Sequence, residues 1–261
     1  MTLQKEPCMT KNYKLEICAN SVTSCIEAEK GGAWRVELCA AIPEGGTTPS
    51  YGDIALAREL LQIKLHVIIR PRGGDFLYSP LEHRIMLKDI EIALRLGADG
   101  VVIGCLTSEG EVDMARNREL VDAAAGMSVT FHRAFDMCHD PFESLERIIE
   151  LGCDRLLTSG QQPRAEQGIP LLKELVQKAG DRIIIMPGSG VNANNIAKLA
   201  KETGASEFHL SARVSEESGM VYRNPNLKMG GNLIVIDEYT QQVTRADKVA
   251  ETLTAWKDES K

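Results

Sequence analysis

No stretch of this chain approaches the roughly 20 consecutive apolar residues that a membrane-spanning helix needs. The N-terminal MTLQKEPCMTKNY has no apolar core of a secretory signal. The expectation is a cytoplasmic protein with no membrane partner, in which Met9 is an alternative start to Met1. The seven cysteines include no C-x-x-C pair, and their odd, scattered set reads as reduced thiols, most of them packing residues. Basic charge is also short. A net charge of −7 argues against a general nucleic-acid partner, while leaving room for a small anion in a local basic pocket. No G-x-G-x-x-G or G-x-x-x-x-G-K-[ST] follows any strand pattern, and H-E-x-x-H is absent. Lys14 and Lys64 sit at strand starts, so no lysine is placed at a strand end for a Schiff base.

What is present is a repeat. Gly31-Gly32-Ala33 precedes WRVELC, Gly97-Ala98 precedes DGVVIGC, Gly152-Cys153 precedes DRLLTSG, and Gly204-Ala205 precedes SEFHLSA. Each time a helical pattern stops at Gly, where a left-handed cap costs little, and a β-rich run follows. Between these junctions lie LEIC, KLHVIIR, SVTFHR and RIIIMPG. Eight strand patterns alternating with helices predict a single-domain α/β fold, a (β/α)8 TIM barrel over 14–261, behind a tail of residues 1–13. The polar stretch 214–231 reads as a loop or arm before a last helix near Arg245 to Trp256.

Alternate residues of a strand share a face, so parity sorts each barrel strand into an inner and an outer set. With Leu15/Ile17, Val36/Leu38 and Leu65/Val67/Ile69 turned to the helices, the inward set is polar. It comprises Glu16, Cys18, Arg35, Glu37, Cys39, His66, Arg70, Thr130, His132, Glu207, His209 and Ser211. Buried charges require partners, so Glu16, Glu37, Arg35 and Arg70 are expected to neutralise one another. A carboxylate beside Arg is held ionised. The polar strand ends cluster at the C-terminal face, where barrel active sites lie. RPRGGDF offers Arg70 and Arg72 as forks for a carboxylate or phosphate. MPGSG and HLSAR offer Gly188, Ser189, Gly190 and Ser211 as an anion cradle, with Arg213 beside them.

LEIC, GGAWRVELCAAIPEGGTTPS, IRPRGGDFLYS, VTFHRAFDMCHDP, MPGSG and EFHLSAR together resemble the copper homeostasis protein CutC family, in order from about Leu15 to Met229. Two departures stand out: Trp34 where the family more often has Asp, and Ser189 within what is commonly a Gly triplet. The resemblance implies a cytoplasmic barrel that forms a homodimer or higher homo-oligomer and takes part in copper handling. It points to Cu(I) at Cys18 and Cys39, with His209 and Met186 in reserve, and soft thiolates suit that ion. The residues themselves also fit an enzyme acting on a small phosphorylated or carboxylated molecule. In that reading His132, Glu16 or Glu37 serves as acid or base. An oligomeric scaffold is a third reading, though it would not need a polar barrel mouth.

Overall fold

A computed structural model describes residues 14–224, 226 and 237–258; the expected tail, Met9 included, and part of the 214–231 stretch lie outside these. Eight parallel strands run β1 (Lys14–Ala19), β2 (Arg35–Leu38), β3 (Lys64–Ile68), β4 (Gly100–Ile103), β5 (Ser128–Phe131), β6 (Arg155–Thr158), β7 (Ile184–Pro187) and β8 (Glu207–Leu210). The helices between them are α1 (Val22–Lys30), α2 (Tyr51–Leu60), α3 (Pro80–Arg95), α4 (Met114–Ala123), α5 (Pro141–Glu150), α6 (Ile169–Ala179) and α7 (Ile196–Thr203). The hydrogen-bonded order β7-β6-β5-β4-β3-β2-β1-β8 rolls the sheet into a nearly closed TIM barrel. β7 and β8 lie side by side, with no ladder between them among the described residues.

Local chemistry supports the alternation. Gly32, Gly97, Gly152 and Gly204, the glycines of the repeated junctions, all take φ between 79° and 89°, which a Cβ would oppose. Ser50 and Ser79 each close a capping box, with Asp53 and Glu82. The helix-facing set is apolar as expected: Leu15, Ile17, Val36, Leu38, Leu65, Val67 and Ile69 belong to one continuous buried cluster.

After β8 the chain departs from the expected loop. Arg213–Glu217 is a strand, β9, pairing antiparallel with β10 (Thr240–Thr244). Asn20 Nδ2 donates to the Gln242 carbonyl at 2.8 Å, and the Thr244 amide to Ser24 Oγ at 3.2 Å, tying the hairpin to the start of α1. Helix α8 (Ala246–Asp258) then packs on α1 and α7. No described helix is long and apolar enough to cross a membrane.

On its inner face β4 sets Val102 against Cys39 and Ile68, and the glycines on either side of Val102, Gly100 and Gly104, contribute space. A Cβ on Gly100 would stand 2.5 Å from His66 Nε2, and one on Gly104 2.5 Å from His132 Cε1. Two buried imidazoles occupy room that only glycine leaves. Gly104→Ala is therefore expected to destabilise the protein by about 1–3 kcal/mol through overpacking. Urea denaturation would show this, and an unchanged midpoint would mean the ring moves away freely.

Candidate functional site

The register of the ladders brings the inward polar residues together. β1 sets Glu16 beside Arg35 of β2 and beside His209 of β8. The guanidinium of Arg35 donates to Glu16 through Nε, and through Nη2 to Glu207 Oε2 at 3.0 Å and to Met186 Sδ at 3.3 Å. Arg155 of β6 reaches the same Glu207 oxygen at 2.8 Å. His209 Nδ1 lies 2.7 Å from Glu16 Oε1. Burial by itself would raise the Glu16 carboxyl, but Arg35 and His209 outweigh it and hold it well below the ordinary carboxylate range. This layer fills the barrel centre beneath the mouth, and Met186, a reserve copper ligand on sequence grounds, is spent on Arg35.

The expected four-way neutralisation holds only in part. Arg70 donates to three main-chain carbonyls, those of Glu44, Gly46 and Gly74, each at 2.8 Å. It ties down two loops instead of answering Glu37. Glu37 has no Arg or Lys partner among the described residues, and its nearest cation is His209 Nε2 at 3.7 Å. Burial, reinforced by negative charge on Cys18, pushes its carboxyl well above the ordinary value. The expectation of an ionised carboxylate thus fits Glu16 and fails for Glu37, because only Glu16 has an Arg in contact.

Above this layer lie the thiols. Cys18 Sγ and Cys39 Sγ are 3.4 Å apart, and the Glu37 carboxylate joins them in a cluster whose ligand atoms all lie within 4.8 Å. Cys39 is buried, whereas Cys18 lines the mouth. Arg213 Nη2 lies 3.2 Å from Cys18 Sγ and 3.0 Å from its carbonyl oxygen. The bond from Cys39, together with His209 and Arg213, pulls the Cys18 thiol well below its usual range. The same shared proton pushes Cys39 up. Of the two sulfurs, the one nearer the cavity is thus the one whose surroundings favour negative charge.

The cavity at the C-terminal face holds about 490 Å³ and is lined by Glu37, Arg70, His132, Ser189, Gly190 and Ser211 among others. His132 belongs to this lining. Burial and Arg70 lower it to about 3, and its Nδ1 accepts the Ala134 N–H at 3.2 Å. Nε2 therefore carries the hydrogen, and it makes no hydrogen bond. Arg72 lies outside the lining, held by Glu82 at 2.6 Å and Asp75 at 3.0 Å. Gly188 is likewise set back, its amide bonded to the Thr158 carbonyl. Ser189 takes a left-handed φ of 77°, and its hydroxyl is committed to the Pro163 carbonyl at 2.8 Å. Glu16 is wholly buried below the mouth. Two participants escaped the sequence reading. Arg155 follows from applying strand parity to β6. Asp136, which accepts from Thr158, Ser159 and Arg133, sits in a 3-10 turn that parity cannot reach.

The model of the CutC family matches residues 13–214. The chain belongs to the CutC family. A CutC-family protein of Bacteroides thetaiotaomicron is 62% identical over 248 residues, spanning 95% of this chain and 99% of that protein. The mouse protein named copper homeostasis protein cutC homolog is 47% identical over 237 residues, 91% of this chain and 87% of its own. The crystal structure of a CutC protein of Streptococcus agalactiae superposes with a TM-score of 0.74 at 39% identity, covering 77% of this chain and 99% of that one. The CutC match ends at residue 214, just inside β9, so the hairpin and α8 lie beyond it.

Proposed function

We propose that this CutC-family protein serves copper homeostasis in the cytoplasm by binding Cu(I) at Cys18 and Cys39. The observation that carries this is the 3.4 Å approach of the two sulfurs at the barrel mouth. Cu(I) is soft and prefers thiolates, and Cys18 is the thiol whose surroundings favour the thiolate. Glu37 is the third donor within reach, and His209, bonded to Glu16, stands behind it. Metal binding would draw the remaining proton from Cys39, since ligands coordinate deprotonated. The six described cysteines, all free, support a reducing compartment. Assembly as a homo-oligomer belongs to the same reading, supported by the exposed Leu56 and Leu60 of α2 and Leu81 and Ile85 of α3.

The test is an anaerobic titration with Cu(I) against a chromogenic competing ligand. Wild type is expected to retain Cu(I) against the competitor, and Cys18→Ser/Cys39→Ser to lose that retention with the fold intact by circular dichroism. Equal retention by the two proteins would remove the thiolate site.

A further inference from the structure

A single copper ion does not account for the mouth. Its volume of about 490 Å³ is that of a small-molecule pocket. Its charge is also out of balance. Arg133 is answered by Asp136, and His209 by Glu16 with Glu37 beyond it. Arg70 and Arg213 also line the cavity, yet neither pairs with a carboxylate among the described residues. Arg70 is bonded only to carbonyls, and Arg213 only to the carbonyl and sulfur of Cys18. The Nε of each is buried without a partner. Arg213 faces the Cys18 sulfur and Arg70 faces no acidic group within bonding distance, so the two guanidinium groups bring more positive charge to this part of the lining than Cys18 answers. A buried donor left unbonded is unfavourable, and His132 Nε2–H adds another in the same lining.

The rim after β7 and β8 has the form of an oxyanion cradle. Ser189 and Gly190 take consecutive left-handed conformations, φ 77° and 76°, and Ala212 another at 46°. The amides of Ser189 and Gly190 donate to nothing among the described residues. Free amides in such a turn gather N–H groups toward an anion. A left-handed serine is uncommon and strained unless its surroundings hold it, as the Pro163 bond does here.

We propose that the barrel mouth binds a small phosphate monoester, its phosphate between Arg213 and the Ser189–Gly190–Ser211 rim and an acceptor oxygen of its other end toward His132. This site shares the mouth with the thiols but needs neither copper nor their ionisation. A neutral imidazole fixed as a donor suits a carbonyl or hydroxyl oxygen, and a guanidinium with no carboxylate partner suits the phosphate.

The test uses copper-free protein and calorimetric titration with inorganic phosphate and with dihydroxyacetone phosphate, chloride matching the ionic strength. Both probes are expected to bind saturably, and the carbonyl-bearing ester more tightly. Arg213→Gln is expected to weaken both by about tenfold or more, the worth of a charged hydrogen bond. Ser211→Asp should abolish binding by placing a carboxylate at the rim. Arg72→Gln, outside the cavity, should leave it unchanged. Circular dichroism and melting temperature establish that each variant is folded. Absence of saturable phosphate binding to wild type overturns the proposal, as does undiminished binding by folded Arg213→Gln and Ser211→Asp. Equal affinity for the two probes would remove the His132 contact.

Discussion

Replacing Arg35 with Met is expected to cost about 3–5 kcal/mol, read as a large drop in the urea midpoint. Arg35 is almost wholly buried and joins Glu16 to Glu207. An apolar side chain of similar reach would fill the space, so the loss would come from two carboxylates left with fewer partners. His209 still faces Glu16 and Arg155 still faces Glu207, which keeps the loss from being larger. Adding Glu16→Gln to Arg35→Met should recover part of it, since the second change removes the charge that the first leaves stranded. Whole buried ion pairs are often replaceable by apolar residues at little cost, whereas half a pair is not. A single variant within about 1 kcal/mol of wild type would show that these charges do not act as a unit.

Acid is expected to act on two other interior groups. His66 and His132 are buried, and desolvation lowers each to about 3 from 6.5. Glu16 partly offsets this for His66, whereas Arg35 and Arg155 add to it; Arg70 adds to it for His132. Between those values the unfolded chain binds protons that the native protein does not. Their contribution to stability is thus fully present above pH 6.5 and falls as the pH drops toward 3, against the opposite contributions of Glu37 and His209, which their surroundings raise. At 1.36 kcal/mol per unit, two units below 6.5 remove about 2–3 kcal/mol for each histidine. The depressed Glu16 carboxyl contributes in the same direction at lower pH. Urea midpoints from pH 7 to 4.5 would measure the slope. His132→Gln should remove about half of what the two histidines contribute, and an unchanged slope would mean that His132 is not held neutral.

Strand parity made most of this interior legible before any coordinates. Glu16, Cys18, Arg35, Glu37, His66, His132, Glu207 and His209 all lie where alternation places them, because one apolar face per strand must meet the helices. Parity does not say which charge meets which. That depends on register, and it is the ladders that set Glu16 against both Arg35 and His209 while Glu37 is left with His209 alone. Loops are less legible. Arg70 and Arg72 both look like ligand-binding forks; Arg70 lines the cavity while also tying loop carbonyls, whereas Arg72 lies outside it against Glu82 and Asp75, because loops also leave carbonyls and carboxylates that need donors. Gly188 looks like a cradle residue, yet its amide continues the β6–β7 ladder. The β9–β10 hairpin escaped notice because its faces are mostly solvated, so no apolar alternation marks it.

β7 and β8 stand side by side without a ladder among the described residues, and this gives the interior charges a second meaning. Arg35 reaches from β2 to Met186 on one of these strands and to Glu207 on the other. Arg155 of β6 reaches Glu207 as well. Side chains thus add to this seam bonds of the kind that main-chain ladders supply between the other neighbouring strands. The polar layer in place of Val, Ile and Leu is a clasp that joins the last two strands of the barrel to the rest.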